Sequence, residues 1–322
     1  MFCSARQGRE GISKRKPCLH GHALQSVHLG WCMRHSRLRR PFSCTTHVHT
    51  VFPILVFDIE TVPDVAGLRR LHGVPESIPD REVAEMAFHQ RRQATGGSDF
   101  LPHHLQRVVA IACALRDRDT FRVWSLGGVD TTEASLLQRF FDGIEKYTPQ
   151  LVSWNGGGFD LPVLHYRSMI HGVQARRYWD LGEDDREFRF NNYIARYHSR
   201  HLDLMDVLSM YQGRATAPLD QIAQLLGYPG KLGMSGAHVW DAYLDNRIEA
   251  IRNYCETDVA NTYLVFLRFQ LMRGLLTPEA HAREVDMVHG TLARSEAAHW
   301  AEFVAAWSRG VAAVEEKGAP AA

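Results

Sequence analysis

Three short stretches of this 322-residue chain hold residues that could do chemistry together. The first is Val56-Phe-Asp-Ile-Glu-Thr-Val-Pro-Asp64, where the apolar run Ile54 to Phe57 leads into Asp58 and Glu60. Side chains alternate faces along a strand, so positions i and i+2 point the same way. Two carboxylates set side by side repel and shift each other's pKa unless a cation sits between them. The pair asks for a metal ion, although a strand end emerging into solvent could carry the same two acids. The second stretch, Asn155-Gly-Gly-Gly-Phe-Asp160, lies where an apolar strand gives way to a helix, the place where open α/β sheets put ligands. Its glycines permit unusual backbone angles and close approach of a ligand. Read alone, it is a turn in which Asp160 caps the following helix, a common use of Asp. The third is Tyr254-Cys-Glu-Thr-Asp258, inside a long helical pattern. Residues four apart share a helical face, so Tyr254 and Asp258 point together. Each stretch alone has an ordinary structural explanation. Taken together, Asp58, Glu60, Asp160 and the Tyr254/Asp258 pair can be presented at one cleft.

The elements that must position these residues follow from the hydrophobic pattern. Val51 to Ile59 reads as a buried strand, broken by Pro63, and helical patterns follow over Val65–Leu71 and Pro79–Thr95. Arg107–Leu115 and Phe121–Leu126 read as two strands of an antiparallel hairpin turned at Arg116–Thr120. Thr131–Tyr147 is an amphipathic helix with Leu136, Leu137, Phe140, Phe141 and Ile144 on one stripe. Gln150–Asn155 is a short buried strand and Phe159–His171 a helix. Residues 172–200 are rich in Arg, Tyr, Asp and Glu without a clean period and read as a long loop or surface insertion. His201–Tyr211 begins as a strand and continues as a helix, and Pro218–Leu226 is a short helix. Ile248–Leu275 is a long helix, and a further helical stretch reaches about Trp307 before a frayed end. This order predicts an α/β fold, a mixed sheet flanked by helices.

Composition bounds the function. No apolar run approaches the roughly 20 residues of a membrane span, so a soluble protein is expected. Nine of the 37 Lys and Arg but one of the 36 Asp and Glu lie in residues 1–50, leaving 28 basic against 35 acidic residues in 51–322, a net of −7. An acidic body is unlike a protein that coats DNA in bulk and is compatible with an enzyme whose carboxylates are offset by bound cations. Cys3, Cys18, Cys32 and Cys44 fall in the basic tail, leaving Cys113 and Cys255 in the body. Cys32-Met-Arg-His35 has one ligand-like spacing, but no second pair completes a zinc site. The tail has the Arg-rich, acid-poor bias of a transit peptide, which its His and Cys content fits badly. It shows no helical or strand period and is expected to be disordered, or to precede a native start near Val51. Two distant body cysteines give no disulfide framework, and a cytoplasmic, reducing compartment is the default.

The motifs Asp58-Ile-Glu60, Asn155-x-x-x-Phe-Asp160 and Tyr254-x-x-x-Asp258, in that order, resemble the three exonuclease motifs of the family B DNA polymerase proofreading domain. That domain belongs to the ribonuclease H-like superfamily, in its four-acid-plus-tyrosine subgroup of 3′–5′ exonucleases. More closely, the body is similar to the stand-alone bacterial predicted 3′–5′ exonucleases of polymerase B type. The stretches LVFDIETVPD, QLVSWNGGGFDLPVLHYR, PGKLGMSG and NYCETDVANTYLVFLRFQLMRG carry that similarity, which covers essentially all of 51–307. The resemblance implies a ribonuclease H-like mixed sheet, with an exonuclease domain over 51–276 and a helical C-terminal extension over 277–322 packed on it. It implies that Asp58, Glu60, Asp160 and Asp258 hold two divalent cations, Mg²⁺ or Mn²⁺, which agrees with the preference of those ions for hard oxygen donors. Asp58 would bridge the two, with Glu60 and Asp258 on the side of the attacking water, and Tyr254 would orient that water. Asn155 and Phe159 would contact the terminal nucleotides, Phe159 by stacking or wedging against a base, unless Phe159 is a core residue. Asp203 and Asp206 could support the site acids from behind but are read first as structural, and Glu256 as facing solvent. Arg91, Arg92, Arg107, Lys231 and Arg252 could touch phosphates, and nothing in the sequence selects among them. The implied substrate is the 3′ end of single-stranded nucleic acid, DNA favoured over RNA. An exoribonuclease and a catalytically silent nucleic-acid-binding scaffold are the alternatives. Any proofreading or DNA repair role would need a separate partner, since no polymerase fits in the remaining residues.

Overall fold

The computed structural model describes residues 53–318, with side chains through Gly310. The expectations for residues 1–50 (disorder, zinc, a transit peptide, a start near Val51) lie outside the described residues, as does nearly all of the stretch 318–322 for which fraying is expected. In chain order the elements are β1 (Ile54–Pro63), α1 (Val65–His72), α2 (Asp80–Thr95), β2 (Gln106–Asp117), β3 (Thr120–Ser125) and α3 (Glu133–Tyr147). They continue with β4 (Gln150–Ser153), α4 (Asp160–His171), α5 (Arg176–Trp179), β5 (His201–Asp203), α6 (Leu204–Leu208), α7 (Leu219–Leu225) and α8 (Val239–Leu244). Three long helices close the fold: α9 (Ile248–Met272), α10 (Pro278–Ala293) and α11 (Ala298–Gly318).

The strands form one five-stranded sheet in the order β3-β2-β1-β4-β5. The β1, β2 and β3 pairings are antiparallel, whereas β1 with β4 and β4 with β5 run parallel. This is the mixed sheet flanked by helices that the sequence predicts, consistent with a ribonuclease H-like fold. Alternation sorts β1 between two cores. Leu55, Phe57 and Ile59 enter the core under α3 and α4, and Ile54, Val56 and Val62 the one under α9. A central strand buried on both faces needs a nearly continuous apolar run, and Ile54–Phe57 supplies it.

Helix α9 packs over β1 and β2, and the register explains how it comes so close. Opposite Val56, Asp58 and Glu60 stand Ala114, Ala112 and Ala110, all fully buried and all too small to hold the helix off the sheet. A bulge between Glu60 and Thr61 then shifts the register of the two strands, as bulges do beside functional sites.

Two sequence expectations are corrected. Strand β1 does not end at Ile59 but runs to Pro63, because β2 keeps pairing with it, so Asp58 and Glu60 sit within the ladder. Residues 172–200 are a built part of the core, not a surface insertion: Tyr178, Phe188 and Tyr193 are buried against the α3/α4 face. Their order comes from single anchors that leave no period in the sequence. The Asp180 carboxylate accepts from the backbone N–H groups of Gly182, Glu183, Asp184 and Asp185 at 2.8–3.3 Å. The Arg200 guanidinium lies 4.5 Å from the centre of the Phe188 ring.

Candidate active site

Asp58 and Glu60 project from β1 toward α9, on the face that carries Val56 and Val62. Glu60 is buried and Asp58 partly exposed. From α9, Tyr254 and Asp258 reach the same place and are 5% and 6% exposed. The Asp258 carboxylate receives a hydrogen bond from the Tyr254 hydroxyl and the attraction of the Lys231 ammonium. Its Oδ1 is buried without a partner among the described residues.

Asp160 arrives from the other side of β1. It is the first residue of α4, but it does not cap that helix; Phe159 occupies the cap position without a side-chain bond. The Asp160 Oδ1 instead accepts from the Ile59 N–H at 3.1 Å, which ties α4 to the strand between the two β1 acids. The loop that delivers it is built by Asn155, which adopts a left-handed φ of 67°. The Asn155 carbonyl accepts from Gly158 and Phe159 at 3.0 and 2.9 Å. At Gly156 a side chain is excluded, since a Cβ would lie 2.3 Å from the Ser153 hydroxyl. Asp203 organises the loop from β5, accepting from the Asn155 and Gly157 N–H groups at 3.0 and 2.8 Å, and Asp206 pairs with Arg196. Asp206 is thus tied up in an ion pair, while Asp203 supports the loop that carries Asn155 and Phe159. Asn155 and Phe159 therefore lie in the loop leading to Asp160, Phe159 half-buried against the α3/α4 core.

Crowding acids with little water raises their pKa values. Burial, then Asp160, Glu60 and Asp258, push Asp58 well above the ordinary carboxylate range. Burial and then Asp258 do the same to Glu60. Burial pushes Asp160 up to about 7 against the N–H donors of its own residue and Ile59. Asp258 is pushed up by burial to about 6, with Lys231 and the Tyr254 hydroxyl holding it down. Burial and the neighbouring carboxylates keep the Tyr254 phenol protonated far above its ordinary range. A buried carboxylate oxygen without a partner, surrounded by acids that resist ionising, fits a divalent cation, and the oxygen donors fit Mg²⁺ or Mn²⁺. Asp58, Glu60, Asp160 and Asp258 would supply the ligands, although among the described residues the group of three with ligand atoms mutually within 4.8 Å is Asp58, Glu60 and Cys255, without Asp160 or Asp258.

Two residues of the site escape the sequence motifs. Lys231 donates from Nζ to the Tyr254 hydroxyl and lies 3.6 Å from Asp258 Oδ2. Asn261, one turn past Asp258 on α9, brackets the Gly230 backbone through Nδ2 at 2.9 Å and Oδ1 at 3.3 Å, and Asp220 accepts from the Lys231 N–H at 2.7 Å. Of the other candidate cations, Arg91 donates to the Phe100 carbonyl, Arg92 pairs with Asp99, and Arg252 donates to the Leu126 and Gly127 carbonyls. Arg107 lies beside the Tyr243 ring. Cys255, fully buried, has its Sγ 3.3 Å from the Asp58 carbonyl and 3.5 Å from its carboxylate. Among the described residues, ligand atoms of Asp58, Glu60 and Cys255 lie within 4.8 Å of one another. The spacing of Tyr254 and Asp258 marks one face of α9 and passes over the face that meets the sheet. Glu256 is also corrected: it is not solvent-facing, but accepts from Ser125 at 2.8 Å and pairs with His299 at 3.1 Å, joining α9 to β3 and α11.

Comparison with known proteins bears on this arrangement. A 45-residue stretch, 14% of the chain, is 47% identical to the catalytic subunit of DNA polymerase epsilon from Saccharomyces cerevisiae, of which it spans 2%. The family described as "predicted 3′–5′ exonuclease related to the exonuclease domain of PolB" matches residues 98–307. That span holds Asn155, Phe159, Asp160, Lys231, Tyr254 and Asp258, and β1 with its two acids precedes it. With well over half of its length matched, the chain belongs to the family of predicted 3′–5′ exonucleases related to the exonuclease domain of PolB.

Proposed function

We propose that the protein is a metal-dependent 3′–5′ exonuclease that removes nucleotides from the 3′ end of single-stranded DNA. The observation that carries this reading is that Asp58 and Glu60 from β1, Asp160 from α4 and Tyr254 and Asp258 from α9 lie close enough to act on one another electrostatically in a buried cluster. The stretch shared with the catalytic polypeptide of a DNA polymerase favours DNA over RNA.

Asp58, Glu60, Asp160 and Asp258 would hold two divalent cations, Mg²⁺ or Mn²⁺. When bound, these supply a charge that activates water and stabilises the leaving 3′ oxygen. The chain's own groups do the positioning. Asp58 has Glu60, Asp160 and Asp258 all within electrostatic reach, which suits a shared ligand. Tyr254 keeps its proton, so its hydroxyl acts as a hydrogen-bonding guide for the attacking water and not as the base. Lys231 fixes that hydroxyl and leaves a positive charge beside the place where the phosphate would gain negative charge. Cys255 steadies the Asp58 carboxylate from behind.

The test uses the full chain with 5′-labelled and 3′-labelled single-stranded DNA and RNA, in Mg²⁺, Mn²⁺ or EDTA, beside Asp58→Ala and Asp160→Ala. A ladder shortening from the 3′ end, absent in EDTA and reduced at least about a hundredfold by either substitution, is the expected result. RNA shortened in preference to DNA would move the reading to an exoribonuclease. Strands bound but never shortened would leave a binding protein.

A further inference from the structure

Phe100 lies between α2 and β2 with 54% of its surface exposed, yet its backbone is held firmly. Its carbonyl accepts from Arg91 Nε at 3.0 Å, its N–H donates to the Ser98 hydroxyl at 3.3 Å, and the next residue, Leu101, is buried. Arg92 pairs with Asp99 at 2.8 Å, and the Thr95 hydroxyl donates to the Ser98 carbonyl at 2.6 Å. A large ring left half in water forgoes much of what burial would contribute to stability. Here the fold has spent several hydrogen bonds on fixing one in that position.

The ring meets the loop that delivers Asp160. Its centre lies 5.4 Å from that of Phe159, the residue before Asp160. The His103 ring lies 5.7 Å from the same Phe159. His103 Nε2 is 3.0 Å from the Gly158 carbonyl, which only accepts, so Nε2 carries the proton and the imidazole is tied to the loop that delivers Asp160. Three rings from two chain segments thus cluster beside an acid of the site, those of Phe100 and His103 inclined to Phe159 by 57° and 46°.

We infer that Phe100 and His103 extend Phe159 into a stacking platform for the unpaired terminal bases of the strand. The inference rests on the exonuclease reading and names residues that would give that site its preference for an unpaired end. Every base has a π-face, so aromatic platforms take nucleic acid without regard to sequence. A terminal base pair offers such a surface only its outer face, whereas an unpaired end can lay more than one base on it, so a single-stranded or frayed 3′ end is the preferred substrate.

The experiment uses the full chain and single-stranded DNA carrying 2-aminopurine at the last or the penultimate position, with Ca²⁺ as the added cation. Steady-state cleavage in Mn²⁺ is measured in parallel on the same strand and on a blunt duplex. Wild-type binding is expected to change the 2-aminopurine fluorescence. Phe100→Ala is expected to lose that change and raise KM roughly tenfold with kcat within about twofold. Phe100→Trp is expected to restore both, and Phe100→Leu neither. Phe100→Leu behaving as wild type would reduce the platform to an apolar contact and overturn the inference. So would Phe100→Ala with unchanged KM and fluorescence, or a blunt duplex shortened as fast as the single strand. In those cases cleavage by the wild type leaves the exonuclease standing. A wild type that shortens no strand removes the exonuclease, and the platform with it.

Discussion

Asp160 and Asp258 hold protons at pH values where a free carboxyl has long lost its own, and this has a measurable sign. Burial puts their titration near 7 and near 6, whereas in an unfolded chain it lies near 4. The stability contributed by the protonated acids is present in full below about pH 4 and is lost as pH rises through about 6 to 7. A divalent cation binds the ionised form and restores what is lost. In EDTA, Asp258→Asn, which keeps the shape without the charge, is therefore expected to gain in thermal midpoint over the wild type as pH rises from 5 to 8. Mn²⁺ should raise the wild-type midpoint more at pH 8 than at pH 6, and the variant's less at either. A cation effect equal at both pH values would mean that the acids are already ionised. Tyr254→Phe tests the positioning hydroxyl. Loss of the group that Lys231 holds is expected to lower kcat about a hundredfold with KM unchanged. An unchanged kcat would leave Tyr254 with packing alone.

At the scale of elements, the close seat of α9 depends on the alanines of β2. Ala112 stands opposite Asp58 in the ladder, and Cys255 of α9 lies over the same pair of strands. Ala112→Leu should lift the helix, costing about 1–3 kcal/mol by urea denaturation. It should also weaken Mn²⁺ binding, because Tyr254 and Asp258 move with the helix. Unaltered Mn²⁺ affinity in a destabilised variant would show that the acids tolerate such a shift. This dependence also explains what was legible beforehand. Asp58, Glu60, Tyr254 and Asp258 could be read because strand and helix periods place neighbours in sequence on a common face. The strand-to-helix switch alone read Asp160 as a helix cap, and only its company with the other motifs drew it to the site; its aim at the Ile59 N–H was not legible. Lys231 was one of five cations, and what selects it is Asn261 gripping Gly230 across 31 residues. Cys255 and Glu256 take their surroundings from whichever strand and helix α9 meets, which no local pattern contains. The same holds for Tyr178, Phe188 and Tyr193, brought inward by Asp180 and Arg200 without periodicity.

Across the whole molecule, the C-terminal helices brace the candidate site from behind. Trp300, Phe303 and Trp307 of α11 are buried against the α9 side of the sheet. Trp307 meets Tyr228 edge-on at 5.8 Å, three residues before Lys231. A Cβ on Gly310 would come within 3.0 Å of the Gly227 carbonyl, so α11 lies close against the turn that leads to the lysine. Glu284 of α10 pairs with Arg116 of β2 and accepts from Tyr263 of α9. Trp307→Ala is expected to cost about 3–5 kcal/mol, read from the denaturant midpoint. Lysine placement should suffer as well, so kcat should fall in the variant while it is still fully folded. A stability loss with kcat intact would confine α11 to a supporting role.

The contact between Cys255 and Asp58 spans 197 residues of chain, and that distance sets a schedule for synthesis. A ribosome makes β1 with its two acids early and releases the segment carrying Tyr254 and Asp258 only much later, followed by the helices that hold α9 in place. During most of translation the nascent chain carries at most three of the four acids and no means of completing the set. A message cut short before residue 254 thus yields a fragment without Tyr254 and Asp258, so the candidate site exists only in chains carried past them.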